Sequence, residues 1–438
     1  MTALVHLVEP GVWRAALDAG ALRPPSLADQ GFVHLSTPEQ VHLPAGRLFP
    51  GRRDLVLLVV DPARLTDPVR WAPGVPGDPP GTRFPHLHGP LPASAVVAVV
   101  PYRPPAEPVL PRPDDALGRA RALSLSVRTR RAAEVRDVPG GVAVLDPRFP
   151  YSRDDNRLVL SHPVDAGTVA ASAAAVAADA GWPHHAATLA WSGADDVAHE
   201  LAGHGWRAEE LVVMARPATP PLPGRRAEAV DQREVHDLWE RSWRRDLPTS
   251  EADLDELVAQ LIGREHRNDR VVAVTDLAVR EEGRVVSAGQ LRVDGATAAF
   301  ESMNTDPAAR GRGYGDAVLA AALDLAAERG CDLVVLEADA TDWPRHWYAR
   351  RGFAVVGTNW EVTAAPLQGP AASSRAVGGR RVLPQAAAAP VASGFAASAA
   401  RADSTSVAKA AGSLTASSAR TLRSSSMPAS LRPCMKRL

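Results

Sequence analysis

The chain of 438 residues is long enough for two or three domains, and its 45% apolar content is that of an ordinary globular protein. No apolar run reaches the length that spans a bilayer, and two cysteines, Cys331 and Cys434, exclude a disulfide framework. The net charge of −1 hides a split: from Ser373 onward ten Lys or Arg residues face one acid, Asp403, so the remainder is acidic and a poor surface for duplex nucleic acid.

The opening residues, MTALVHLVEPG, lack a basic start followed by an apolar core, so no signal peptide is read and the cytoplasm is the expected location. HLVEPGVWRAALDAG predicts a strand carrying His6 and a helix from Gly11, followed by Gly20–Ala21–Leu22 and by Phe32–Val33–His34–Leu35–Ser36. TRFPHLHGPLP adds His86 and His88 near the end of this first region, residues 1–103. These stretches resemble the domain-of-unknown-function family 952 over nearly all of residues 3–103. The order of motifs is also similar to that of NAD-using RNA 2′-phosphotransferases. The resemblance implies an α+β, ADP-ribosyltransferase-like fold in which His6, His34 and Ser36 face one cleft, with His86 and His88 nearby. Imidazoles hydrogen-bond ribose and phosphate and titrate near neutrality, so a nucleotide-like ligand is expected there. No basic cluster matches the one those RNA enzymes use, and histidines satisfied in a polar core are the alternative.

PYRPPAEPVLPRPDD reads as a stiff proline-rich linker, residues 104–119. A second block follows, jointed at ARPATPPLPGRR into residues 120–216 and 225–365. It contains an internal repeat. LAGHGWRAEE from Leu201 aligns with YARRGFAVVG from Tyr348; Gly181 and Gly330 close corresponding helices, and HAATLAW matches DLVVLEA. The offsets are 149 at the helix-closing glycines and 147 at Gly205 and Gly352, so two copies of one α/β unit are the economical explanation. The copies differ chemically: the first offers HPVDAG where the second has a glycine loop, and Leu201 where the second has Tyr348. The first is expected to be scaffolding. His199, Glu200 and His204 suggest a zinc helix, but histidines five apart lie about 140° apart around a helix, and no metal site is read.

In the second copy TAAFESMN predicts a strand, NTDPAARGRGYG a connection, and Val318, Ala321, Ala322 and Leu325 a helical stripe closed by Gly330. DLVVLEA is then a buried strand and DWPRHWYARRG a short helix. A glycine loop entering a helix binds anions: the backbone can approach closely, and the free N–H groups of the first turn point at the ligand. The loop is neither GxxxxGK[ST] nor GxGxxG, because Asp316 fills the last place of the latter. It does fit RxxGxG, Arg310 through Gly313 to Gly315, and together with Tyr348-x-x-x-Gly352-Phe353 it resembles the GNAT acetyltransferase superfamily over residues 280–360.

That resemblance implies a tandem α/β pair of GNAT units with acetyl-CoA as cofactor. The backbone N–H groups of Arg310, Gly311, Arg312, Gly313, Tyr314 and Gly315 would hold its pyrophosphate. Tyr348 would be the general acid toward the departing thiolate, since a phenol of pKa near 10 keeps its proton at neutral pH. Glu301 would deprotonate the attacking amine, commonly through water. A core aromatic beside Trp347 and a solvent-facing acid are the plain alternatives for the two. Thr341 and Asp342 stand where the family often has an asparagine, so a contact there differs. Arg345, His346, Trp343 and Trp347 line a rim or simply pack. The expected partner is a small-molecule or peptide amine, with no membrane, and the oligomeric state is open. Residues 366–438, rich in Ala and Ser, are expected to be disordered. Two rival readings stand beside acetyl transfer: a non-catalytic acyl-CoA-binding module, and NAD or RNA chemistry in the first domain.

Overall fold

The computed structural model describes residues 3–247 and 251–364. The segment expected to be disordered, 366–438, lies outside the described residues, and so does Cys434. The N-terminal part follows its apolar alternation. It runs β1 (Leu4–Val8), α1 (Pro10–Ala19), β2 (Ala21–Leu22), α2 (Pro25–Gln30), β3 (Val33–His34), α3 (His42–Leu48), β4 (Leu55–Val60), β5 (Val69–Pro73), β6 (Arg83–Leu87), β7 (Leu91–Pro92) and β8 (Val96–Tyr102). Helix α1 starts on Pro10, whose missing N–H costs nothing in a first turn, and stops at Gly20 in the left-handed conformation (φ 74°). Strands β1, β4 and β8 form one antiparallel sheet, β3, β6 and β5 a second, and β2 with β7 a short third. All six residues of β4 are buried, which requires cover on both faces of that sheet.

The remainder is α4 (Ala116–Arg131), β9 (Glu134–Val138), β10 (Gly141–Leu145), β11 (Arg157–Leu160), α5 (Ala166–Ala180), β12 (His185–Leu189), α6 (Ala194–Gly203) and β13 (Arg207–Pro217). Then come β14 (Glu228–Val230), α7 (Gln232–Asp246), α8 (Glu251–Glu265), β15 (Ala273–Glu281), β16 (Arg284–Asp294), β17 (Thr297–Thr305), α9 (Tyr314–Glu328), β18 (Leu333–Asp339), α10 (Pro344–Ala349) and β19 (Ala354–Ala364). The series strand–helix–strand–helix–strand occurs twice, as β11 to β13 and as β17 to β19, where the aligned glycines and aromatics lie. All these strands share one sheet of 11, in the order β14-β15-β16-β17-β18-β13-β19-β12-β11-β10-β9.

The two copies exchange their last strands. Strand β13 of the first pairs antiparallel with β18 of the second, β19 of the second pairs with β12 of the first, and β13 and β19 meet at the centre. A copy on its own would leave the edge of its penultimate strand unpaired. The copies are therefore halves of one sheet.

Helix α4 departs from the sequence reading. It begins at Ala116, inside the segment expected as linker 104–119, with Asp115 accepting from the Gly118 N–H at its start. Its residues Arg119, Arg128 and Arg131 are buried, not solvated. Arg119 donates to Asp332 at 2.6 Å and Arg128 to Asp154 at 3.0 Å, while Arg131 pairs with Asp154 and Asp155. Polarity alone cannot reveal such a helix, because the partners that neutralise it lie far away in the chain.

One buried group sets a pH limit. His184 precedes β12, stacks on Trp182 with ring centroids 5.9 Å apart, and places Nε2 3.0 Å from the Asn156 carbonyl. Burial pushes its pKa down to about 4. The folded state then holds His184 neutral while the unfolded chain protonates it below about 6.5, so stability falls as pH drops from about 6.5 to 4. A shift of that size corresponds to about 3 kcal/mol. The apparent melting temperature of His184→Phe is expected to fall less over this window than that of the wild type; parallel curves would refute the assignment.

Candidate active site

Strand β17 and helix α9 are joined by a loop whose backbone only glycine adopts easily. Gly311 and Gly313 have φ of 76° and 78°, and Gly313 caps the 15-residue helix α9. Among the described residues, no backbone carbonyl accepts from the amides of Gly311 to Asp316. The side chains of the loop turn elsewhere. Arg310 donates to the Thr305 carbonyl at 3.1 Å, Arg312 pairs with Glu281 at 2.5 Å, and the Tyr314 hydroxyl donates to Glu281 at 3.3 Å. A Cβ added at Gly311 or Gly313 would meet nothing within 4 Å, whereas one at Gly315 would lie 3.1 Å from the Met303 methyl. What remains facing outward is a row of N–H donors at the positive end of a long helix, which fits a pyrophosphate.

The sheet is opened beside this loop. Strands β17 and β18 run parallel and pair only from Thr297–Ala299 with Leu333–Val335. Beyond that point β17 stays with β16, β18 stays with β13, and the two separate. A bulge at Ser302 and Met303, with Ser302 at φ 54°, turns β17 away. The gap becomes a cavity of about 130 Å³ lined by Ala299 to Met303, Glu337 to Asp339, and Tyr348 from α10.

Tyr348 and Glu301 therefore reach one cavity, although 47 positions separate them in the chain. The tyrosine is 3% exposed and held among Trp347, Phe353 and Phe300, at centroid distances of 4.9, 5.7 and 6.4 Å. Glu301 is half-buried. Its packing role and its position on the cavity make Tyr348 both core aromatic and wall. Trp347 lies under Arg351, 3.8 Å from guanidinium carbon to ring centroid, so it serves packing. Asp342 lines the cavity and accepts from the Trp343 N–H at 2.7 Å.

The first half is not mere scaffolding, and that expectation is corrected. Leu123, Val127, Arg128 and Arg131 of α4 and Glu209 and Leu211 of β13 line the same cavity. From the second half come Trp239 and Trp243 of α7 and Leu261, Arg264 and Glu265 of α8. Sequence reasoning missed all of these. It also missed Glu337, which did carry a signal, as the acid interrupting the apolar run of DLVVLEA.

In the N-terminal domain the structure gathers the singled-out histidines around Phe32. The His86 ring stacks on Phe32 at 4.0 Å, His34 meets it edge-on at 4.9 Å, and His88 lies at 5.7 Å. His6 shares a 2.7 Å hydrogen bond between Nδ1 and the His34 carbonyl. Ser36 is buried and bridges to Val5 through its backbone, beside the cluster. Burial lowers the pKa of His6, and burial with neighbouring positive groups lowers those of His34 and His86. Neutral imidazoles at physiological pH both donate and accept, as ligand groups require.

Two family models match the chain: "Protein of unknown function (DUF952)" over residues 7–99, and "Acetyltransferase (GNAT) family" over residues 233–353. Among curated proteins, the mycothiol acetyltransferase of Clavibacter sepedonicus is 44% identical over 68 residues, 16% of this chain and 22% of that protein. The probable glucosamine 6-phosphate N-acetyltransferase 2 of Oryza sativa subsp. japonica is 33% identical over 102 residues, 22% of this chain and 60% of that protein. The chain thus spans less than two thirds of the curated relatives it matches. Among solved structures, a GCN5-related N-acetyltransferase from Kribbella flavida aligns over 57% of this chain and 96% of its own, with 18% identity and a TM-score of 0.39. Among the described residues no helix is long and apolar enough to cross a membrane.

Proposed function

On the premise that residues 233–353 form an acetyltransferase (GNAT) family domain, we propose that the protein transfers the acetyl group of acetyl-CoA to the amine of a small molecule or peptide. One observation carries this reading: the proton donor Tyr348 and the carboxylate Glu301 line one cavity beside the glycine-capped start of α9. Acetyl-CoA would supply a thioester whose carbonyl carbon is open to attack by an amine. The amides of Arg310 to Gly315 would hold the pyrophosphate. Glu301 takes up the amine proton, directly or through water, and Tyr348 returns a proton to the sulfur as the carbon–sulfur bond breaks. The products are the amide and the free thiol, and the proton held by Glu301 then passes to the Tyr348 oxygen, directly or through water, which restores both groups. In this reading residues 1–103 are a separate module, and 120–216 and 225–365 are the two halves, with the equipped chemistry in the second.

Gly313→Glu is the test. A Cβ at position 313 would meet nothing within 4 Å, so the block is expected from the added negative charge against the pyrophosphate and from the strain of a positive φ. Calorimetry is expected to show micromolar acetyl-CoA binding to the wild type and at least about a 100-fold loss in the variant. Absent wild-type binding would overturn the reading, and binding without acetylation of any amine would leave an acyl-CoA-binding module.

The imidazole cluster around Phe32 supports a second reading for the N-terminal domain: it binds a nucleotide-like ligand, as an ADP-ribosyltransferase-like module would. NAD binding lost in His34→Ala would support this, and undetectable binding at millimolar NAD would count against it.

A further inference from the structure

The cavity that holds Tyr348 has a charge pattern that narrows its acceptor. Seven carboxylates line it, Asp154, Glu209, Glu265, Glu301, Glu337, Asp339 and Asp342, against four guanidiniums, Arg128, Arg131, Arg264 and Arg292. The guanidiniums are committed. Arg128 and Arg131 both pair with Asp154 and reach Glu361 and Asp155 respectively; Arg264 donates to Ser152 at 2.7 Å, and Arg292 to Glu265 at 2.7 Å.

The other acids have partners too, but mostly neutral ones: Glu337 accepts from the Asn359 amide at 2.6 Å, Asp339 from the Thr341 N–H and hydroxyl at 2.7 Å, and Glu209 pairs with the half-exposed Arg207 at 3.3 Å, so the wall keeps an excess of negative charge. The register places these acids together. Glu337 and Asp339, two apart on β18, oppose Val213 and Leu211 of β13, and Glu209 continues the same face toward the first half. Glu301 extends that face across the gap, two residues beyond Ala299, which packs with Val335 and Val213. One face of three strands from both halves thus presents Glu301, Glu337, Asp339 and Glu209 to the cavity.

A second observation is independent of charge. Trp239 lines the cavity and is 3% exposed, yet its buried indole N–H has no hydrogen-bond partner among the described residues. A buried donor without an acceptor is costly, and an occupant of the cavity would satisfy it.

We propose that the acceptor is a small amine bearing at least two ammonium groups and an oxygen that accepts from Trp239, seated across the seam between the two halves. The proposal rests on the acetyl-transfer reading of the same site. The acids of β13 and β18 hold one ammonium group. The other faces Glu301 and Tyr348; the acidic wall on its own would favour its charged form, the fixed ammonium beside it offsets that in part, and Glu301 takes up the proton directly or through water. A phosphorylated amine would bring negative charge against an acidic wall and is excluded. The cavity of about 130 Å³ suits a small molecule.

The test is equilibrium binding to the full chain by calorimetry, which needs no turnover. The probes are 1,3-diamino-2-propanol, 1,3-diaminopropane, propylamine and glucosamine 6-phosphate. Diaminopropanol is expected to bind at least about tenfold tighter than propylamine and to weaken as salt rises. Glu337→Gln should cost about tenfold, while Asp179→Asn, on the exposed face of α5, should leave binding unchanged. Trp239→Phe should abolish the advantage of diaminopropanol over diaminopropane. Tighter binding of glucosamine 6-phosphate, or equal binding of mono- and diamine, would overturn the proposal. A parallel titration with acetyl-CoA separates the two readings: its failure beside intact diamine binding removes acetyl transfer and leaves the amine site.

Discussion

Tyr348→Phe is expected to lower kcat by about 10²- to 10³-fold while acetyl-CoA binds with an unchanged Kd. The variant keeps the ring that Trp347, Phe353 and Phe300 enclose, so the wall of the cavity stays in place. Only the hydroxyl is lost, at a stability cost of about 1 kcal/mol. A phenol, of pKa about 10, is a weaker acid than a thiol, of about 8.5, so full proton transfer to the thiolate is uphill by about 2 kcal/mol; the Tyr348 hydroxyl acts by hydrogen-bonding the charge that builds on sulfur as the bond breaks, and its proton is replaced afterwards. The measurement is thiol release with a saturating amine, together with a separate acetyl-CoA titration. An unchanged kcat would reduce Tyr348 to packing. A loss of acetyl-CoA affinity equal to the loss of rate would make it a binding residue instead.

The parts of this site that sequence made legible are local. Gly311 and Gly313 announce a loop with positive φ before a helix, and Tyr348 announces itself by position before Gly352 and Phe353. The repeat was visible because helix-closing glycines keep their spacing. The strand exchange was not, since β13 and β19 read as apolar strands whichever partner they take, and their pairing depends on contacts over a hundred residues apart. The same holds for α4. GRARALSLSVRTRR looks like a solvent-facing segment until Asp154, Asp155, Asp294 and Asp332 are brought to it. The acceptor wall depends on both features, and so it was missed with them. In the N-terminal domain the pairing of β3 with β6 sets His34 directly opposite His86, a neighbourhood that only the sheet register creates.

Asp294→Ala is expected to cost about 3–5 kcal/mol of stability, the largest effect of any single change at the seam between the N-terminal domain and the sheet. Asp294 ends β16 in a two-residue turn, with Gly295 at φ 78° and Asp294 paired to Thr297. Its side chain is 1% exposed; it accepts from the Trp13 indole N–H at 2.7 Å and pairs with Arg130, which is equally enclosed. Removing the carboxylate leaves the Trp13 indole N–H without its acceptor and the buried Arg130 guanidinium without its counter-charge, held only by the Ser126 hydroxyl at 3.1 Å and the Val271 carbonyl at 2.7 Å. The turn itself is docked on β8: the Ala296 N–H donates to the Val96 carbonyl at 2.7 Å and the Thr297 hydroxyl to the Val97 carbonyl at 2.7 Å. Replacing both charged partners, Asp294→Leu with Arg130→Met, should recover most of the loss, because an apolar pair carries no desolvation penalty. Denaturant unfolding of the wild type, the single and the double variant measures this. A single variant within about 1 kcal/mol of the wild type would show that the domains do not depend on this contact. Acetyl-CoA affinity should not change, since Asp294 lies at the opposite end of β17 from the bulge that opens the cavity.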